Sequence, residues 1–192
     1  MANVSNPRGL IPVRYRSGSP YNAAANMYYV PASDGTALFI GDLVKGVTAS
    51  ADANGVPTVT RAAAGDYTLG PVVGVVSYRT KARLQSDPTY RVASTEAYVL
   101  VADDPDLMFE VEENGAMVAG AGGRNAEFVV ASGNTTSGYS GTKLNSSTLN
   151  TTNTLTLRIH KPVDREDNVF AGGALKWLVS INLHALRNLT GV

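Results

Sequence analysis

The chain of 192 residues contains no cysteine. That excludes a disulfide framework, a zinc knuckle, an iron–sulfur site and a cysteine nucleophile. It also lacks a charge surplus: 16 Lys and Arg balance 16 Asp and Glu. A protein that lives on nucleic acid needs excess cations for the phosphates, so a nucleic-acid partner is not expected. A disordered chain would combine low hydrophobicity with high net charge, whereas 44% of these residues are hydrophobic. Long apolar runs are missing too. Nothing approaches the roughly 18 residues of a membrane span, and no apolar core follows Met1–Leu10 as in a secretory leader. No membrane association or export is therefore expected. Five N-x-S/T triplets begin at Asn3, Asn134, Asn145, Asn150 and Asn188, and are read as products of an Asn/Thr/Ser-rich composition. Finally, no amphipathic pattern of ten or more helical residues is present; Ala62-Ala63-Ala64 is the best candidate and runs into Gly65-Asp66.

What is present is strand text with turn punctuation. Candidate strands are Ala37–Ile40 continuing through a Gly41-Asp42 turn to Leu43–Lys45, Val56–Thr60 after the turn pair Asn54-Gly55, Val72–Tyr78, Ala97–Val101, Met108–Val111 and Ala126–Val130. Thr154–His160 alternates, with Leu155, Leu157 and Ile159 expected inward and Thr156, Arg158 and His160 outward. In the last element, Leu175–Leu183, Trp177, Val179 and Ile181 alternate with Lys176, Ser180 and Asn182. Such strands with Gly/Asn-rich connections predict an all-β fold: a barrel, jelly roll or sandwich with long polar loops.

Residues 1–30 stand apart. Pro7, Pro12 and Pro20 favour extended backbone, and Arg8, Arg14 and Arg16 add charge. With Leu10, Ile11, Val13, Tyr15 and Tyr21 they predict an ordered, extended N-terminal arm that crosses the surface or reaches a neighbour, followed by one β domain over 31–192. Arg8, Pro12, Arg14, Tyr15, Arg16 and Tyr21 are the candidate interaction residues. Ser132–Asn153 and Pro162–Gly173 are too long for turns. Their Asn, Thr and Ser side chains can satisfy local backbone, so such loops can be ordered against a partner.

Catalytic patterns are hard to find. His160 and His184 are the only histidines, and neither has metal-ligand spacing around it. Gly138-Tyr139-Ser140-Gly141 is one residue short of a nucleophile elbow, and Gly120–Asn125 has Asn where a dinucleotide fingerprint needs its third glycine. The dense acids Asp103, Asp104, Asp106, Glu110, Glu112 and Glu113 could hold calcium or do acid–base work. The preferred reading is a turn at 103–106 followed by a strand with Phe109 and Val111 inward. No catalytic residue, metal or cofactor is expected, and an enzyme is not. Acids at 103–113 and arginines in the leader form two patches that could meet within a subunit or between neighbours.

Several segments in order resemble a family of tailed-bacteriophage head decoration, or cement, proteins. They are Asn6–Pro12, Phe39–Val44, Gly70–Val75, Val101–Val111, and Leu157–Ile159 through Pro162–Asn168 to Trp177–Asn182. The resemblance implies a structural virion protein on the outer surface of the capsid, made in the host cytoplasm. Its implied partners are the phage major capsid protein and neighbouring copies of itself, whose contacts it would stabilise. A tail, baseplate or fibre accessory protein is the alternative. The resemblance transfers no active-site residue.

Overall fold

The computed structural model describes residues 3–76, 87–170 and 173–187. The fold is all-β, with two main sheets. Five strands close a barrel: β2 (Asn26–Val30), β3 (Leu43–Ala51), β4 (Pro57–Arg61), β5 (Gly70–Val76) and β6 (Ala97–Val101), in the order β2-β4-β3-β5-β6. The β2–β4 contact is parallel and the others antiparallel. An antiparallel sheet uses β1 (Ile11–Tyr15), β7 (Leu107–Glu112), β8 (Asn125–Ala126), β11 (Leu157–Pro162) and β12 (Lys176–Ile181), in the order β1-β7-β12-β11-β8. A short ribbon pairs β9 (Phe128–Val129) with β10 (Lys143–Leu144). Three single 3-10 turns are the only helical elements among the described residues.

Each sheet has its own core. Val30, Val44, Val59, Val72, Val99 and Val101 fill the barrel. Leu10, Phe109, Val111, Leu157, Ile159, Trp177, Val179 and Ile181 pack beneath the five-stranded sheet. Branched side chains at every second position suit this arrangement, because successive residues of a strand face opposite sides. β12 occupies the middle of its sheet, and its second face is closed as well: Leu178 and Ser180 are also buried.

The leader is extended, and it is woven into both sheets. β1 pairs with β7, β2 pairs with β6, and Leu10, immediately before β1, is fully buried. Its path is fixed where Gly9 crosses Gly41. Leu10 N donates to Gly41 O at 3.0 Å, and a Cβ on Gly9 would stand 2.3 Å from that oxygen. Both glycines have positive φ, +68° and +94°, so only glycine fits this backbone crossing.

Several strand expectations need adjustment. Ala37–Ile40 is not a strand; it makes only isolated bridges, Leu38 to Arg91 and Ile40 to Tyr139. Ala126–Val130 divides at Glu127, where the chain leaves one sheet for another: Ala126 pairs with Leu157 and Phe128 with Leu144. Thr156 is buried, not outward, because its backbone and hydroxyl are taken by Glu127, Asn182 and Gly65. Ser77 and Tyr78, expected to end the third strand, lie outside the described residues, as does Asn188. The 132–153 segment is ordered largely by its own side chains. Asn134 Oδ1 accepts from the amides of Thr136 and Ser137, and Asn145 Oδ1 from Ser147. Asp42 then anchors it from the barrel side, accepting the hydroxyls of Ser140 (2.5 Å) and Thr142.

Candidate interaction surface

The acidic segment is distributed among separate partners. Asp103 accepts from Asn26 and from the Tyr28 hydroxyl; burial first, and then this bond to Asp103, raise the tyrosine's pKa. Glu112 is buried and receives Lys143 Nζ at 2.7 Å, the Ser5 hydroxyl and the Asn6 amide. Glu113 accepts the indole N–H of Trp177 at 2.8 Å and the Met117 amide. Glu110 pairs with Arg165, and Asp106 with Arg187. Phe109 and Val111 point into the core, as the alternation predicts. Glu112 and Glu113 were not legible as buried residues, because the sequence did not reveal Lys143 and Trp177 as their partners. No group of three potential metal ligands forms among the described residues.

The six leader residues separate into two sets. Pro12, Tyr15 and Tyr21 are turned onto the molecule itself. Pro12 lies opposite Phe109 beside a strand irregularity, a position that suits a residue without an N–H. Tyr15 and Tyr21 pack against the sheet core, and their hydroxyls reach Asn22 and the carbonyl of Ala24. Arg8, Arg14 and Arg16 carry no ion pair among the described residues. Arg8 lies over the Tyr139 ring, 5.1 Å from its centroid, a cation–π arrangement. It separates a mixed-charge cleft of about 550 Å³, walled by Glu110, Glu112, Arg165 and Lys176, from a polar depression of about 240 Å³ under the 132–141 loop.

Arg14 and Arg16 join two residues that sequence reasoning did not group with them. Arg14 pairs in register with Met108 on β7, and Arg158 with Ser180 on β12. Paired residues share a face, so these four stand on the side of the sheet opposite Phe109 and Trp177. His160 reaches the same face, its Nε2 2.9 Å from Ser180 Oγ. Burial lowers the His160 pKa, and the charges of Arg16, Arg158 and Arg14 lower it further. The alternation of 154–160 did place Arg158 and His160 outward. Their meeting with the leader depends on β1 joining this particular sheet, which no local pattern encodes.

His184 behaves differently from the exposed strand-end residue that its position suggests. It is buried, its Nδ1 accepts from the Leu186 amide at 3.2 Å, and its Nε2 has no partner among the described residues. Burial first, and then the charge of Arg187, push its pKa down to about 4.

No family model, no curated protein and no solved structure matches this chain.

Proposed function

We propose that this protein is a structural, non-enzymatic virion subunit that binds the outside of a phage capsid and cements contacts between major coat subunits. The observation that carries the reading is the set of unpaired leader arginines displayed on a rigid all-β body, Arg14 and Arg16 beside Arg158. The ordered resemblance of the segments from Asn6 to Asn182 to decoration proteins supports it. A cement protein needs a stiff body, an ordered polar exterior and contacts that can bridge subunits. Here the 132–153 loop is held by its own Asn, Ser and Thr side chains, so it can contact a partner with little ordering cost. Many modest contacts repeated over a symmetric shell give high avidity.

The test is addition of the purified protein to shells that lack it. Saturating occupancy at symmetry-related positions, seen by electron microscopy, and a raised disruption temperature of the shell are expected. Absence from the head, with density on the tail or baseplate instead, would transfer the assignment to a tail accessory role.

A further inference from the structure

The outward face of the five-stranded sheet has cations on both flanks of a largely covered apolar floor, Met108 and Leu178 being 5% and 6% exposed. Arg14 and Arg16 stand on the β1 side, and Arg158 on the β11 side. Between them lie Met108 and Leu178, which share that face because their neighbours Phe109 and Val179 point into the core. A notch of about 170 Å³ opens beside Leu178, lined by the apolar Val13, Pro162 and Val163 and by the charged Arg14, Lys161, Glu110 and Asp164, the size for one aliphatic side chain. Of the carboxylates at this face, Glu110 pairs with Arg165 and Asp106 with Arg187, while Asp164 lines the notch with no ion pair among the described residues. Arg158 has only a neutral partner, Asn125 Oδ1 at 3.3 Å. Arg14, Arg16 and Arg158 make no ion pair among the described residues, so the row can accept a counter-charge from outside the chain.

We propose that this face docks an extended acidic segment of a protein partner, its carboxylates opposite Arg14, Arg16 and Arg158 and one apolar side chain in the notch beside Leu178. The inference rests on the decoration reading only in taking that partner to be a coat subunit. A phosphodiester strand would match the cations but not the apolar notch, and the chain has no net positive charge to hold one. Arginine suits the task because its planar fork binds a carboxylate through two hydrogen bonds. The free edges of the sheet are not available for strand addition, because Ser19–Tyr21 covers β1 and Asn150 covers β8. Recognition must then run through side chains on the face. The low pKa of His160 is consistent with a site crowded by cations and lacking an anion.

The probe is a synthetic peptide of alternating Glu and Leu, with a Gln-and-Leu peptide and oligothymidylate as comparisons. His160 is a local reporter, since the chain has only two histidines and the other is buried. Its imidazole NMR signals, followed at constant pH, should shift saturably with the Glu peptide and not with the Gln peptide. The variant R14S/R16S/R158S should weaken that binding at least about tenfold, and R16E, at an exposed position, should weaken it in the same direction. Occupancy of shells should fall in parallel. No saturable shift, unchanged affinity in both variants, or tighter binding of oligothymidylate would overturn the inference, as would dimerisation of the wild type through this face that R16E abolishes. If the triple variant still fills shells while no peptide binds, the docking inference fails and the decoration reading stands. If the peptide binds but shells take up no protein, the reverse holds.

Discussion

At the scale of single residues, the most consequential side chain for stability is Arg91. It is fully buried in the barrel wall, where its guanidinium donates to the carbonyls of Thr95, Pro31, Asp34 and Thr36, with the Asp34 carboxylate 3.7 Å away. A single cation thus ties the 31–36 segment to the start of β6. Arg91→Met would leave those carbonyls buried without a donor, a loss of about 3 kcal/mol or more by the usual cost of breaking a buried charged network. The urea midpoint should fall accordingly, and an unchanged midpoint would show that water replaces the guanidinium. His184 sets a pH limit. Folding holds its imidazole neutral, with the pKa near 4 against about 6.5 in the unfolded chain. Below 6.5 the unfolded chain binds the extra proton, so this contribution is complete above that pH and is lost as pH falls towards 4. The full span is worth roughly 3 kcal/mol. In urea titrations, the stability difference between the wild type and His184→Gln should be constant above pH 6.5 and move against the wild type between pH 6.5 and pH 4; a difference that does not change with pH would mean that His184 is free to protonate in the folded state.

At the scale of elements, the leader decides the architecture. β1 covers the β7 edge of its sheet, and the Gly9–Gly41 crossing pins the chain between β1 and the barrel. Gly41→Ala would set a Cβ 2.0 Å from the Arg8 carbonyl oxygen, against backbone that cannot yield, at a φ of +94°. About 3 kcal/mol of destabilisation is expected from strain and overpacking together, read as a lower thermal midpoint. Deleting residues 1–27 should abolish cooperative unfolding, because it removes β1, Leu10 and the start of β2. A truncated protein with an intact, sharp transition would show the leader to be a detachable arm. The same elements show what a single chain makes legible. Ala97–Val101 and Trp177–Ile181 could be read because branched and aromatic residues suit a strand, here buried almost continuously on both faces. The turn at Asn54-Gly55 could be read as well, and Asp52 Oδ1 closes it by accepting from the amides of Asn54 and Val56. The short β10 escapes, since two residues carry no period, and β8 and β9 read as the single strand Ala126–Val130. The cationic face was legible only in halves: the arginines of β1 and β11 are each visible, but their apposition depends on β1 pairing with β7 and β7 with β12, strands distant in sequence.

At the scale of the whole molecule, two cores share one continuous chain without being separable by a cut. The sheet takes residues from 11–15 and again from 107–181, and the barrel takes the stretch between. The chain then returns, because Ala185 packs into the barrel core and Thr68 bridges to His184. In the other direction, Leu43, Ala62 and Ala102 leave the barrel strands and their connections to join the core beneath the sheet. Strands interleaved in this way cannot lose one core while the other keeps its covering, so unfolding should be a single transition. Trp177 makes this testable. It is the only tryptophan, and it is fully buried beneath the sheet, so its fluorescence reports that core alone. Val99 is fully buried in the barrel core. Val99→Ala should cost about 2 kcal/mol through lost methyl burial and the cavity that remains. With coupled cores, the Trp177 fluorescence transition should move by that full amount, coincident with the transition seen by circular dichroism. If the barrel melted by itself, the Trp177 transition of Val99→Ala would stay at the wild-type midpoint while circular dichroism showed an earlier step.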